Sequence, residues 1–206
     1  MTSNIRALTH GAVAVAALVF AASACAQSSQ SGLAKEIGDS SSQAGKSFID
    51  LSVGRATYAT SCGNVTGLTC SRGTTSYSLT AGNMITENLG VELSAIDLGK
   101  VDRAGGSVMA RGINLSAVGR VPMGDIFGIE GKVGSTYGVT HVSAAQDAGL
   151  PTGRDSGFGL AYGAALDVNV ARGLHGSIGW EQHDFHFVGQ GTSKVKNITL
   201  ALGYSF

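Results

Sequence analysis

Toward the carboxy-terminus, His175, Ser177 and Glu181 supply the three side-chain types of nucleophilic hydrolysis. An imidazole can take the proton of a serine hydroxyl while a carboxylate orients the ring. Just beyond them, His183, Asp184 and His186 are types that bind divalent metals. In an extended chain alternate residues share a face, so 175, 177 and 181 lie together, whereas 183 and 186 fall on opposite faces. The metal reading therefore yields to solvated side chains. The 31 glycines are scattered at strand spacing, with no helix following to receive a phosphate, so no nucleotide or other cofactor is expected. With 14 basic and 14 acidic residues, no basic surface points to nucleic acid.

The cysteines speak to compartment. Residues 1–26 read as a secretory signal: Arg6, an apolar run from Gly11 to Ala22, and Ala24-Cys25-Ala26 as an A-x-A cleavage site before Gln27. Ala22-Ser23-Ala24-Cys25 also resembles a lipoprotein box, with Ala in place of the usual Leu; lipidation of Cys25 is the alternative to its removal. Cleavage leaves Cys62 and Cys70, an even pair in an oxidising compartment, and a disulfide between them is expected. Residues 27–46, rich in Ser, Gly and Gln, read as a flexible lead-in with a short helical turn near Leu33–Ile37. Residues 47–206 form the folded domain.

The elements that would position these residues are strands. In the last stretch, Ile198, Leu200, Leu202, Tyr204 and Phe206 alternate with Asn197, Thr199, Ala201, Gly203 and Ser205. Period 2 makes it a strand with one greasy and one small, polar face. Seven similar segments precede it: Phe48–Tyr58, Thr75–Ile85, Asn88–Leu98, Met109–Val121, Ile126–Val139, Ser156–Val170 and Leu174–Phe185. No apolar run after Gln27 approaches the roughly 20 residues of a helical span, so a membrane location requires a barrel. The connections alternate. Tyr58–Thr74, Gly99–Ser107, Thr140–Asp155 and His186–Val195 are long; Thr86-Glu87, Pro122–Asp125 and Ala171–Gly173 are tight. Such a rhythm predicts an all-β, eight-stranded antiparallel up-and-down transmembrane barrel.

The chain from about Phe48 to Phe206 resembles the OmpA-type eight-stranded outer-membrane β-barrels, a porin-like family. The resemblance lies in Glu87–Leu93, Gly131–Tyr137, Gly157–Gly163 and the closing Leu200–Phe206. It implies short periplasmic turns, extracellular loops, a bacterial outer-membrane location, contact with outer-membrane lipid, and a terminal strand whose Tyr204 and Phe206 belong to the signal read by the barrel-assembly machinery. Phe127, Tyr204 and Phe206 then fit a periplasmic aromatic girdle, and Tyr77, Tyr137, Phe158 and Phe185 an extracellular one. Phe48 and Tyr58 sit on the inward parity, which a bulge would explain.

The same parity turns Asp50, Glu92, Arg120, Glu130, Lys132, Asp167 and Glu181 inward. Eight strands leave a bore that side chains can fill, and buried charges must be paired. Arg120 and Lys132 are expected to bridge carboxylates; surplus acids turn to water, shared protons, His175 or Arg111. The expected protein is non-enzymatic: a charge-paired scaffold whose loops, chiefly Tyr58–Thr74 and Thr140–Asp155, meet an unidentified extracellular ligand. One alternative is a narrow ion or small-solute pore. The other is a lipid-modifying enzyme, since small outer-membrane lipid A deacylases use His, Ser and an acid.

Overall fold

The computed structural model describes residues 44–59, 71–103, 105–145 and 151–206. The expected signal peptide, most of the lead-in, both Cys62 and Cys70, and part of the Thr140–Asp155 loop lie outside the described residues. Eight strands form one closed barrel: β1 (Ser47–Tyr58), β2 (Gly73–Met84), β3 (Leu89–Arg103), β4 (Gly106–Met123), β5 (Phe127–Val142), β6 (Gly153–Ala171), β7 (Leu174–Phe187) and β8 (Gly191–Ser205). Every neighbouring pair is antiparallel, and β8 closes on β1 with Leu51 opposite Leu202.

The alternation in sequence becomes an outside and an inside. Leu51, Leu79, Leu115, Val133, Leu160, Ile178 and Leu200 are exposed on the outer face. Between them Ser52, Thr80, Glu92, Ser116 and Thr199 are buried in the bore. Large apolar groups outside and polar groups inside invert a water-soluble core, and only a hydrocarbon surround stabilises that arrangement. The periplasmic turns are short, with Gly124 (φ 75°) and Gly173 (φ 77°) taking the left-handed conformations that a side chain resists.

Several sequence expectations change, most of them at the extracellular end. Gly99–Ser107 is strand rather than loop: β3 runs to Arg103 and β4 starts at Gly106. The reason is a bulge between Asp97 and Lys100, at which Gly99 adopts φ 71°. An extra residue reverses the parity, so Leu98, Val101 and Arg103 all end up buried and the alternation is hidden. His186–Val195 likewise contracts, because β7 extends to Phe187 and β8 begins at Gly191. Finally, Phe185 is fully buried in the bore and is no part of a lipid-facing girdle, while Phe48 and Tyr58 are buried inside a regular β1 that needs no bulge.

The outer belt gives a depth-dependent expectation. Leu200 lies mid-belt and Tyr204 near the periplasmic rim, so Leu200→Arg should cost about 2–4 kcal/mol and Tyr204→Arg about 0–1 kcal/mol. Urea unfolding in lipid vesicles measures both; equal costs would rule out a lipid-facing belt.

Candidate functional site

The bore is built in three layers, and the seven charges expected to face inward lie in its middle and lower parts. Arg120 and Glu130 are direct partners across β4 and β5, and Arg120 Nε stands 2.6 Å from Glu130 Oε2 and 3.9 Å from Asp167 Oδ2. Lys132 Nζ lies 2.6 Å from Glu181 Oε1 and 3.1 Å from Glu92 Oε1. That second contact is held by charge, because Glu92 Oε1 accepts no aligned hydrogen bond. His175 Nε2 lies 2.8 Å from Asp50 Oδ1, and His183 Nε2 lies 3.2 Å from Glu181 Oε2. Arg111 takes no part; it faces outward, with Nε 2.9 Å from Asp97 Oδ2.

Glycines make these spans geometrically available. Lys132 and Glu181 both register with Gly163 on the strand between them, and His175 and Asp50 both register with Gly203. A Cβ at Gly203 would overlap Asp50 Oδ1, and one at Gly163 would press on the Trp180 carbonyl and the Glu181 side chain. Around the charges a neutral ladder continues: Thr80 Oγ1 to Ser94 Oγ at 2.8 Å, Asn114 Nδ2 donating to Thr136 Oγ1 at 3.0 Å, and Thr136 Oγ1 to His183 Nδ1 at 2.9 Å. What remains of the central layer is a cavity of about 30 Å³, room for a water molecule or so.

Above this layer the bore is mainly apolar, although Arg103 and Thr140 are also buried there. Tyr58, Leu98, Val101, Val108, Phe185, Phe187 and Val195 form one buried cluster. The Tyr58 ring meets Phe187 edge-on at 6.3 Å, and its hydroxyl donates to Gly99 O at 2.9 Å and accepts from Ala110 N at 3.1 Å. At the periplasmic side Phe48, Met84 and Val118 pack together, with the Arg120 guanidinium 4.3 Å over the Phe48 ring. The two plugs are what sequence reasoning missed. Their signal was present, since Phe48 and Tyr58 stood on the wrong parity for a lipid girdle.

The structure does not join His175, Ser177 and Glu181, the hydrolytic set of the enzyme alternative, into one hydrogen-bonded group. His175 partners Asp50, while Glu181 is engaged by Lys132 and His183, so Ser177 has neither at hand. Instead Ser205 Oγ lies 3.4 Å from His175 Nδ1, in a mouth pocket of about 80 Å³ that Glu87, Arg120 and Asp167 also line. Beside that Ser–His–Asp order the backbone amides are engaged in the ladder: Ser205 N donates to Gly173 O and Phe206 N to Ser47 O. His183 points into the bore and His186 lies on the opposite face, and among the described residues no three His, Cys, Asp or Glu converge as a metal site. Tyr204 and Phe206 are exposed at the periplasmic rim with rings stacked at 6.4 Å.

A closed antiparallel barrel with an apolar exterior and a paired, charged interior is a transmembrane β-barrel. The chain belongs to the outer membrane protein beta-barrel domain family, whose sequence model matches residues 12–206, and this places it in the bacterial outer membrane. Among curated proteins none matches its sequence. Solved structures share the fold at low identity. Neisserial surface protein A is 12% identical with a TM-score of 0.61, over 78% of this chain and 97% of its own. OprG from Pseudomonas aeruginosa is 16% identical with a TM-score of 0.54, over 80% and 97%. Ail from Yersinia pestis is 18% identical with a TM-score of 0.51, over 78% and 98%.

Deleting one side of the central network should expose its energetics. Lys132→Met strands Glu92 and Glu181 in the bore and should cost about 3–5 kcal/mol, whereas the triple change Lys132→Met/Glu92→Gln/Glu181→Gln should recover most of that loss. Denaturant midpoints in vesicles compare the two; a single variant as stable as the parent would mean that the lysine neutralises nothing.

Proposed function

We propose that this protein is a non-enzymatic envelope barrel that acts through its outer surface and extracellular loops, with the bore serving as a sealed, stabilising core. The observation that carries this reading is the double plug: an apolar layer at one end, Phe48 with Met84 and Val118 at the other, and ion pairs between. A hydrated ion meeting buried Tyr58, Phe185 and Phe187 would have to shed its water against an apolar wall. Two relatives of the same fold are named a surface protein and an attachment invasion locus protein, which agrees with a role at the cell surface.

In this reading the loops Tyr58–Thr74 and Thr140–Asp155 are the contact surfaces, and a Cys62–Cys70 disulfide staples the first of them. Export follows from the amino-terminal signal. The assembly machinery takes up the terminal strand through Tyr204 and Phe206, which the rim leaves accessible.

The pore reading has one observation in its favour: Asp50, Glu92, Glu130, Asp167 and Glu181 outnumber Arg120 and Lys132 in the bore, as a cation path would require. Single-channel recording of the refolded barrel in a planar bilayer, with Arg120→Ala alongside, separates the two. A silent bilayer is expected, with folding verified by heat-sensitive gel mobility. A steady conductance that shifts in Arg120→Ala would overturn the sealed-core reading.

A further inference from the structure

Pairing between β6 and β7 ends early. With β5, the ladder runs nearly the whole length of β6, from Phe127–Val168 to Val142–Gly153. With β7 it begins at Ala171–Leu174 and stops at Ala161–His183, although β7 continues in register with β8 to Phe187–Gly191. Residues 153–160 of β6 therefore pair with a strand on one side only. Two glycines explain the break. A Cβ at Gly159 would overlap the Asp184 carbonyl, and one at Gly157 would press on the His186 ring. The outer face of β7 thus tucks beneath the inner face of β6. Thr140 of β5 reports the same displacement, since its hydroxyl reaches under β6 and donates to the His186 carbonyl at 2.6 Å.

Side chains occupy the open edge in place of a strand. Ser156 N donates to Asp155 Oδ1 at 2.8 Å, and Phe158 O accepts from His186 Nε2 at 3.2 Å. In an antiparallel ladder alternate residues turn their N–H and C=O the same way, so Arg154 shares this edge with Ser156 and Phe158. Phe158 and Tyr137, with rings 5.0 Å apart on the outer face, mark the aromatic girdle. Beyond them the edge meets water rather than hydrocarbon. The exposed charge around it is mainly positive: Arg154 on the edge itself, and Lys194 and Lys196 of β8 beyond the sunken end of β7. None of the three forms an ion pair among the described residues. Asp184, which faces Lys194 across the ladder, has its Oδ1 buried.

We propose that the extracellular half of β6 is a docking edge for an extended, acidic segment of another protein, which adds as a strand over the sunken end of β7. Main-chain hydrogen bonds to Arg154, Ser156 and Phe158 hold it, an incoming carbonyl replacing the Asp155 carboxylate on Ser156 N. Its acidic side chains meet Arg154 on one side and Lys194 on the other. A second copy in the same membrane fits less well. Its β6 also descends toward the periplasm, so the two tilted strands would cross rather than align. The edge adds a wall site to the surface reading and is tested apart from it: a conducting bore would overturn that reading and leave the edge untouched.

The test uses the full refolded protein in phosphatidylcholine nanodiscs and a fluorescent peptide of alternating Glu and Thr, read by anisotropy. The peptide should bind, and the amides of Arg154 and Phe158 should gain protection from hydrogen exchange. An equally charged Glu–Pro repeat, which cannot form a strand, should bind about tenfold more weakly. Ser156→Pro removes an N–H that β5 does not use and sets a ring in the edge, so it should weaken Glu–Thr binding about tenfold. Arg154→Gln keeps the edge and should weaken binding about threefold. Heat-sensitive gel mobility checks that both variants fold. No binding, equal affinity for the two peptides, or parent-level affinity in either variant overturns the proposal. So does self-association of the peptide-free barrel that Ser156→Pro abolishes, which would give the edge to a second copy.

Discussion

The closure of β8 on β1 is the constraint on which the rest depends. Hydrocarbon offers no partner for a backbone N–H or C=O, so an open sheet edge in a bilayer would leave a whole row unsatisfied. The ladder from Phe48–Ser205 to Tyr58–Val195 removes that edge. Once eight strands are joined, the bore is fixed at a width that side chains must fill. Composition inside the barrel is therefore a packing answer to closure. Glycine and serine sit where neighbours are large, and Phe, Tyr and Arg sit where space remains.

The filling separates into layers for an electrostatic reason. Charges withdrawn from water are tolerated when opposite charges lie within contact distance and the remaining lone pairs find donors. Arg120 and Lys132 each touch two carboxylates, and His175 and His183 engage Asp50 and Glu181. The resulting network cross-links strands that are not neighbours, since Lys132 of β5 reaches Glu181 of β7 over Gly163. Above it the ladders continue past the bulge at Gly99 and the interior turns mainly apolar. There the packing of Tyr58, Leu98 and Phe187 stabilises the barrel as an ordinary hydrophobic core would.

How much of this could be read from sequence follows from which solvent each residue meets. The outer face was legible in Leu51, Leu79, Leu200 and their neighbours, because lipid imposes large apolar side chains at a strict period of 2. The inward set from Asp50 to Glu181 was legible by the same parity. Its partnerships were not, because which carboxylate meets Lys132 depends on the register of three strands and on a glycine in the middle one. The extracellular hairpin was lost for a different reason. One inserted residue near Gly99 reverses the alternation without altering composition, so strand was read as loop. Phe185 was misassigned because an aromatic near a strand end suits a girdle and a plug equally well; only its parity told them apart.

The same inversion bears on where function can reside. In a soluble protein a cleft in the core is the natural site, since walls and water meet there. In this barrel a concavity of about 560 Å³ lies on the lipid-facing wall, while the central layer of the bore holds a cavity of about 30 Å³. Polar groups inside are committed to each other: His175, the residue best suited to chemistry, spends one nitrogen on Asp50, and the amides beside Ser205 are spent on the ladder. Closure thus holds the amides of Ser205 and Phe206 in the ladder rather than turning them toward the serine hydroxyl.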